Sequence, residues 1–369
     1  MIEYRINNTS DKFDIAQCQE SAESGYAPAQ YQLGQCYEGG IGVQRNLAKA
    51  FRWYWMASDK SRPAQERLNK DSYQGQLAKW LKKAVNRSDF QEVDLAEIMC
   101  MLGSCHMHGW GVDRDMKLAV EWWRKAAELG NAYANDCLGY CYSTGQGDLP
   151  KDIEQAFAHY MKAAEGEYAG AYFTLGLCYS EGNGVVQNDE KAFLWFKKAA
   201  ENNNPMAWIE LAKCYYAGRG VSVDYDRAVE WYRKAIDTDG YVSPDALRGL
   251  GDCYSSGRGV EQDWEKAVEF YREAAKKSDP EAQYLLARCY AEGNGVGQDM
   301  AEAVKLYKKA ATNICENKKY YGHVGAMRCL GDCYANGTGV RKNAKQASAW
   351  YAKAEELEAG LKNFDNSDI

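Results

Sequence analysis

The chain has 369 residues, of which 46% are hydrophobic and 26% are charged, and it contains 27 tyrosines and 11 tryptophans. So many aromatic side chains require a large buried surface, which excludes an intrinsically disordered chain. The formal net charge is −7 and no long basic run occurs, so the composition argues against a nucleic-acid-binding protein, which needs a clustered positive surface.

The first residues contain no apolar segment followed by a small-residue cleavage site, so the sequence predicts no signal peptide. No stretch approaches the roughly 20 apolar residues that cross a bilayer. We therefore expect a cytoplasmic protein that is not embedded in a membrane. In that reducing compartment the 13 cysteines, an odd number, are expected to be free thiols that pack as small apolar side chains.

A helical half-repeat is predicted within residues 1–26, and a repeated pattern starts at residue 27. In that pattern Leu-Gly-x-Cys-Tyr is followed by Gly-x-Gly-Val and then by Ala-x-x-Trp-Tyr-x-Lys-Ala. The leading leucines of its eight clear copies are Leu33, Leu102, Leu138, Leu175, Leu211, Leu250, Leu286 and Leu330. From Leu102 onward these leucines lie 36 to 44 residues apart, and the widest step contains an insertion around residues 313–323. A nearly constant period of this length is typical of repeat proteins.

Two parts of the chain depart from the pattern. Residues 60–95 lie between the first two copies and keep only part of the second half, including Trp80 and Leu81. We interpret them as a degenerate repeat that has lost its glycine loop. Residues 357–369 are a short, polar and acidic tail, for which disorder is expected.

Each copy is predicted to form two helices. In the copy led by Leu175, the side chains of Ala171, Leu175, Cys178 and Tyr179 have the spacing i, i+4, i+7 and i+8, which places them on one face of a first helix. Gly or Ala follows the leucine, and the small residue is expected to let the second helix approach closely. In the second helix the residues expected to be buried are Ala192, Trp195, Phe196 and Ala199.

The loop between the two helices has its own pattern. Glycine at the end of a helix suits the left-handed conformation that terminates it, so each Gly-x-Gly-Val segment predicts a helix end. An acidic or amide residue then precedes the second helix and is a candidate N-cap. These candidates are Asp115, Asp152, Asn188, Asp224, Asp263, Asp299 and Asn343.

This ordered set of residues resembles the Sel-one-like repeat (SLR) family, over residues 27–356. The resemblance implies an all-α fold, a right-handed α/α superhelical solenoid of helix-turn-helix repeats of about 36 residues. It also implies that the first helices of successive repeats line an inner, concave surface.

The sequence contains no pattern that indicates catalysis, a cofactor or a metal. Cys100, Cys105, His106 and His108 lie close together, but their spacing matches no common zinc site and two of them occupy core positions of the repeat. The Gly-x-Gly loops follow helices, whereas a dinucleotide-binding loop follows a strand. We therefore predict no catalytic residue, no cofactor and no bound metal.

A partner is expected to bind side chains that point away from the apolar stripe of the first helices. At 100° per residue, these lie two residues before, two after and five after the repeat leucine. In the middle of the chain they include apolar side chains, and towards the C-terminus they alternate in charge. The predicted partner-binding residues are Tyr140, Phe173, Leu177, Ile209, Lys213, Tyr216, Arg248, Tyr284 and Arg288. The alternative for Phe173 and Ile209 is that they pack against a neighbouring repeat.

The leading functional hypothesis is an adaptor or scaffold that binds a partner protein or peptide by many contacts along the concave face. One alternative is an enzyme that binds or hydrolyses β-lactams, as described for some cysteine-rich relatives in the family. The other is a self-assembling structural protein, for example a homodimer.

Overall fold

The computed structural model describes residues 15–236, 242–312 and 322–365, and in these residues the chain forms nineteen α-helices and no β-strand. The helices are α1 Ile15–Glu23, α2 Ala27–Gly39, α3 Leu47–Ala57, α4 Arg62–Leu68, α5 Asp71–Ala84, α6 Glu92–His108, α7 Met116–Glu128, α8 Ala132–Thr144, α9 Ile153–Glu165, α10 Gly170–Glu181, α11 Asp189–Glu201, α12 Pro205–Ala217, α13 Tyr225–Ile236, α14 Pro244–Ser256, α15 Trp264–Lys276, α16 Pro280–Glu292, α17 Met300–Thr312, α18 Val324–Asn336 and α19 Ala344–Asp365.

The helices fall into two units, Met1–Gln187 with α1 to α10 and Asn188–Ile369 with α11 to α19. We call them the N-terminal unit and the C-terminal unit. In the N-terminal unit α2 packs on α3, α6 on α7 and α8 on α9, and α7 also packs on α8. In the C-terminal unit α12 packs on α13, α14 on α15, α16 on α17 and α18 on α19, with α13 also on α14 and α15 also on α16. The predicted all-α solenoid of paired helices is confirmed.

Both glycines of the loop have a structural reason. Gly218 ends α12 with a φ of +70°, and its N–H donates a hydrogen bond to the carbonyl oxygen of Cys214. Gly220 has a φ of +67°, and a Cβ built on it would lie only 2.0 Å from the carbonyl oxygen of Asp189, the first residue of α11. The second glycine therefore lets the loop pack against the start of the preceding repeat's second helix.

The predicted N-caps are confirmed. Each of the seven candidate side chains accepts a hydrogen bond from a backbone N–H in the first turn of the following helix, and Asn46 does the same for α3. These bonds satisfy N–H groups that have no partner within the helix.

The residue after the repeat leucine is small because an aromatic ring of the second helix lies against it. A Cβ on Gly139 would lie 2.7 Å from the Tyr160 ring, and a Cβ on Gly251 would lie 2.5 Å from the Tyr271 ring. Where the sequence has Ala212 instead, the ring of the corresponding tyrosine, Tyr232, lies against Gly249 of the next repeat. The predicted close approach is thus a packing of ring on backbone.

The twelve cysteines in the described residues are free thiols, and all except the half-buried Cys329 are buried. Burial raises the pKa of Cys105 to about 12, so its thiol stays protonated and unreactive at neutral pH. Trp195 differs from the prediction, because it is half-buried while Phe196 is buried. It lies one position before Phe196, at the edge of the buried face of α11, where the ammonium of Lys198 lies 5.4 Å from its ring centroid.

The irregular parts of the chain are also helical. Within residues 60–95, α4 and α5 form, and a Cβ on Gly111 would lie 2.4 Å from the carbonyl oxygen of Gln74 in α5. This is the loop-to-helix contact seen at Gly220, so α5 holds the place of a second helix, and the degenerate repeat stays a prediction. At the other end α19 continues to Asp365, past the predicted end of the repeats at residue 356, so the disorder expected for the tail is wrong for residues 357–365. Most of the predicted insertion lies outside the described residues.

Candidate partner-binding surface

We call the positions two residues before, two after and five after each repeat leucine the inward positions of the first helices. They are not equivalent in exposure. In the N-terminal unit the Tyr140 side chain is 50% exposed, and Phe173 and Leu177 are half-buried. These three side chains extend from α8 and α10 and present apolar surface to solvent. A neighbouring inward position, Asp136 on α8, is half-buried as well.

In the C-terminal unit the prediction that Ile209 is exposed is wrong, because its side chain is only 3% exposed. In the N-terminal unit Cys100 also stands at an inward position and is likewise buried. It is only 3% exposed and packs in one cluster with Cys137 of the next repeat. Both residues lie two positions before the repeat leucine. That position lies on the side of the first helix that faces the first helix of the following repeat, and α12 accordingly contacts α14.

Lys213 and Tyr216 of the C-terminal unit are half-buried and already engaged. The Lys213 ammonium lies 2.9 Å from the Glu210 carboxylate. The Tyr216 hydroxyl accepts a hydrogen bond of 3.0 Å from the Arg258 guanidinium, which also lies over the Tyr216 ring at 5.4 Å. These contacts hold both side chains in place at the surface.

The remaining predicted residues of the C-terminal unit also have partners. Arg248 is half-buried between the carboxylates of Asp245 and Asp279. The Tyr284 ring stacks on the His323 imidazole with 4.2 Å between centroids. Arg288 is exposed and forms an ion pair of 3.0 Å with Glu292 one turn further along α16.

Acidic side chains at the inward positions show a recurring contact with the second helix. Three of them accept a hydrogen bond from a tyrosine hydroxyl of the same repeat: Glu38 from Tyr54 at 2.7 Å, Asp252 from Tyr271 at 2.8 Å and Asp332 from Tyr351 at 2.7 Å. Asp136 lies two positions before the repeat leucine, whereas Glu38 lies five positions after it and Asp252 and Asp332 lie two positions after it, and the tyrosine of its own repeat, Tyr160, interacts with Ser143. Within the described chain, no hydrogen-bond donor or cation is paired with the Asp136 carboxylate.

Asp136 lines a pocket of about 640 Å³ in the N-terminal unit, together with Tyr133, Tyr140 and Tyr160. Burial raises the pKa of Asp136 from 3.8 to about 6. The pocket therefore combines exposed aromatic surface with one acidic group that is costly to ionise and has no counter-charge beside it.

Sequence reasoning placed Tyr140 and Asp136 at inward positions but did not select Asp136 and did not consider Tyr133. The signal was available, because Tyr133, Asp136 and Tyr140 stand at i, i+3 and i+7 and so share one face of α8. What the sequence did not show is that no described side chain pairs with the Asp136 carboxylate.

No group of three or more potential metal ligands occurs among the residues that the structure describes. His106 is buried, as expected for a core position, and His108 lines the pocket with a pKa lowered by burial and by Arg114. Within the described ranges, none of the helices is long and apolar enough to cross a membrane.

The chain has stacked helical pairs, a small residue after each repeat leucine, a Gly-x-Gly loop and a capped second helix. Together these features define an α/α repeat protein. The chain belongs to the Sel1 repeat family, whose model matches eight segments: 27–61, 96–131, 133–168, 169–204, 206–237, 244–279, 280–313 and 325–358. The predicted resemblance is thereby confirmed, and residues 62–95 lie outside the matched segments.

Two solved structures support the same assignment. A Sel1 repeat protein from Oxalobacter formigenes is 32% identical, with 69% of this chain and 96% of that chain covered and a TM-score of 0.60. The protein c5321, a protective antigen of uropathogenic Escherichia coli strains with an SLR fold, is 27% identical. That comparison covers 98% of this chain and 84% of the antigen, with a TM-score of 0.54.

Proposed function

We propose that this protein is a cytoplasmic adaptor that holds a partner protein or peptide on the surface formed by the first helices of its repeats, and that it has no enzymatic activity. The observation that carries the proposal is the face of α8, where Tyr133 is 40% exposed and Tyr140 is 50% exposed on either side of the unpaired Asp136. Exposed aromatic surface beside a desolvated charge is typical of the centre of a protein-binding site.

The other features agree with an interaction role. Sel1 repeat solenoids generally serve protein–protein interaction, and this chain is matched by the family model over most of its length. A rigid row of helices provides many contact points for one partner without chemistry of its own. The formal net charge of −7 disfavours nucleic acid, since it would repel phosphates. The free thiols of the described cysteines support a reducing compartment, where disulfides are rare.

The proposal is tested by partner recovery with matched surface variants. Tagged full-length protein is expressed in its native cell as wild type, as Tyr140→Ala and as Trp55→Ala, and the co-purifying proteins are quantified by mass spectrometry. Trp55 is the control because it is 64% exposed on α3, a second helix of the same unit. We expect a partner that is depleted at least tenfold by Tyr140→Ala, the size of effect of a central aromatic contact, and that is retained by Trp55→Ala.

Two results would contradict the proposal. One is a partner set that is unchanged by Tyr140→Ala and reduced by Trp55→Ala, which would move binding to the second helices. The other is recovery of this chain alone, with a sedimentation mass of twice 41.5 kDa that Tyr140→Ala reduces to the monomer. That result would make the surface a homodimer interface.

A further inference from the structure

The pocket of the N-terminal unit is built around one helical face. Tyr133, Asp136 and Tyr140 lie on successive turns of α8, so the carboxylate stands between two phenol rings that are partly exposed. The ring of Tyr133 also contacts the ring of Tyr168 at 5.4 Å between centroids, which fixes that wall of the pocket. The pocket thus has aromatic sides and an acidic group between them.

The acid is left unpaired, whereas three acids at other inward positions of the repeats are paired. Glu38, Asp252 and Asp332 each accept a tyrosine hydroxyl from their own repeat, and Asp136 does not. A half-buried carboxylate without a donor or a counter-ion is unfavourable in the free protein, because it has lost part of its hydration without compensation. A ligand that supplies positive charge and N–H donors would remove this cost.

The titratable neighbours of Asp136 do not supply that positive charge. Tyr160 of α9, Tyr168 after α9 and Cys137 of α8 all interact with the Asp136 charge, and each has a pKa of about 12, so all three stay neutral at physiological pH. Arg114 lines the same pocket and lowers the pKa of His108, but within the described residues it forms no ion pair with Asp136. The Asp136 end of the pocket is therefore acidic.

We propose that this pocket receives a lysine or arginine side chain of the bound partner, with the cationic head on the Asp136 carboxylate and the methylene stem against the rings of Tyr133 and Tyr140. This inference rests on the proposed adaptor function and specifies the chemistry of the partner. A cation gains from the carboxylate and from the negative faces of the phenol rings. An apolar side chain would bury the carboxylate without a partner, and an acidic one would be repelled.

The inference is tested with randomised nine-residue peptides displayed on phage and selected in parallel on full-length wild type, Asp136→Asn and Glu121→Gln. Glu121 is the charge-matched control, because it is an exposed acid on α7, a second helix of the same unit. We expect the peptides enriched on wild type and on Glu121→Gln to carry Lys or Arg at one fixed position. On Asp136→Asn that preference is expected to disappear.

A synthetic wild-type binder then gives the coupling directly. Replacing its basic residue with norleucine is expected to weaken binding to wild type about tenfold to a hundredfold, the range for a partly desolvated charge pair. The same replacement should change binding to Asp136→Asn by less than about twofold. Equal losses on both proteins would show that the basic residue does not contact Asp136 and would overturn the inference.

The outcomes separate this inference from the proposed function. Enriched peptides that lack a basic position but are lost on Tyr140→Ala would overturn the charge assignment and leave the adaptor surface in place. Enriched peptides that bind wild type, Tyr140→Ala and Asp136→Asn equally would bind at another site. That result would count against both the charge inference and the proposed adaptor surface. Absence of any enriched peptide on the wild type would overturn the pocket as a side-chain receptor, while partner recovery tests the adaptor role independently.

Discussion

Replacing Asp136 with Asn should make the protein more stable at neutral pH. In the folded N-terminal unit burial raises the pKa of Asp136 to about 6, compared with 3.8 for the ordinary carboxyl group. Folding therefore pushes this carboxylate towards its protonated form, and keeping it ionised above pH 6 costs free energy. Asn has nearly the same shape and carries no charge, so the variant avoids the cost.

The size of the effect follows from the two pKa values. The interval between them corresponds to about 3 kcal/mol at about 1.4 kcal/mol per pKa unit, and water in the open pocket reduces it, so we expect about 1 to 3 kcal/mol at pH 7.5. Because the folded state binds the proton more tightly, the penalty on the wild type is complete above about pH 6. It disappears as the pH falls towards 3.8.

Urea unfolding of wild type and Asp136→Asn, followed by circular dichroism at pH 7.5 and again near pH 4, measures this difference. The stability advantage of the variant should be largest at pH 7.5 and should shrink below about 1 kcal/mol near pH 4. Glu121→Gln removes the same charge from an exposed position and should leave the stability within about 0.5 kcal/mol of the wild type. A variant that is no more stable than the wild type at pH 7.5, or an advantage that persists at acid pH, would refute the reasoning.

Three further expectations concern the packing of the repeats. Leu175→Ala should lower the free energy of unfolding by about 2 to 5 kcal/mol, because it truncates a buried side chain. Phe173→Ala truncates a half-buried ring and should lower the free energy of unfolding by clearly less. Equal losses in urea unfolding would mean that Phe173 is a core residue. Gly251→Ala should destabilise the protein by about 1 to 3 kcal/mol, because the new Cβ would meet the Tyr271 ring. Gly75→Ala in α5, where a Cβ has open space around it, should stabilise the protein by up to about 1 kcal/mol. A Gly251→Ala variant that melts at a higher temperature than the wild type would contradict the ring-on-backbone contact. The eleven buried thiols should react with a maleimide only after unfolding. Because Cys329 is half-buried and one further cysteine lies outside the described residues, fast labelling of more than two thiols in the native protein, read by intact mass, would show that the repeats open locally.

The fold could be predicted because several independent signals repeat in register. The Gly-x-Gly loop, the N-cap and the apolar stripe agree in eight copies, so each copy supports the assignment of the others. The N-caps at Asp115 in the second copy and Asn343 in the last copy form the same bond because the same local geometry is specified each time. Local sequence determines these features, and they need no knowledge of the tertiary structure.

The surface could be predicted only in part, because exposure depends on the next repeat. A helical projection shows that Ile209 points away from its own second helix, but it does not show that the next first helix covers it. Whether Asp136 finds a hydrogen-bond donor depends on side-chain packing between neighbouring helices, which the local sequence does not specify. Tyr140 was correctly expected to be exposed, since its relative exposure is 50%.

Photo-crosslinking from the α8 surface tests the adaptor mechanism most directly. A photoreactive phenylalanine analogue placed at position 140 should crosslink to a partner in the native cell, and the same analogue at position 55 on α3 should give no such adduct. Adding Asp136→Asn to the first protein should reduce the adduct several-fold. Crosslinks that form at position 55 and not at position 140 would mean that the first helices do not carry the binding surface.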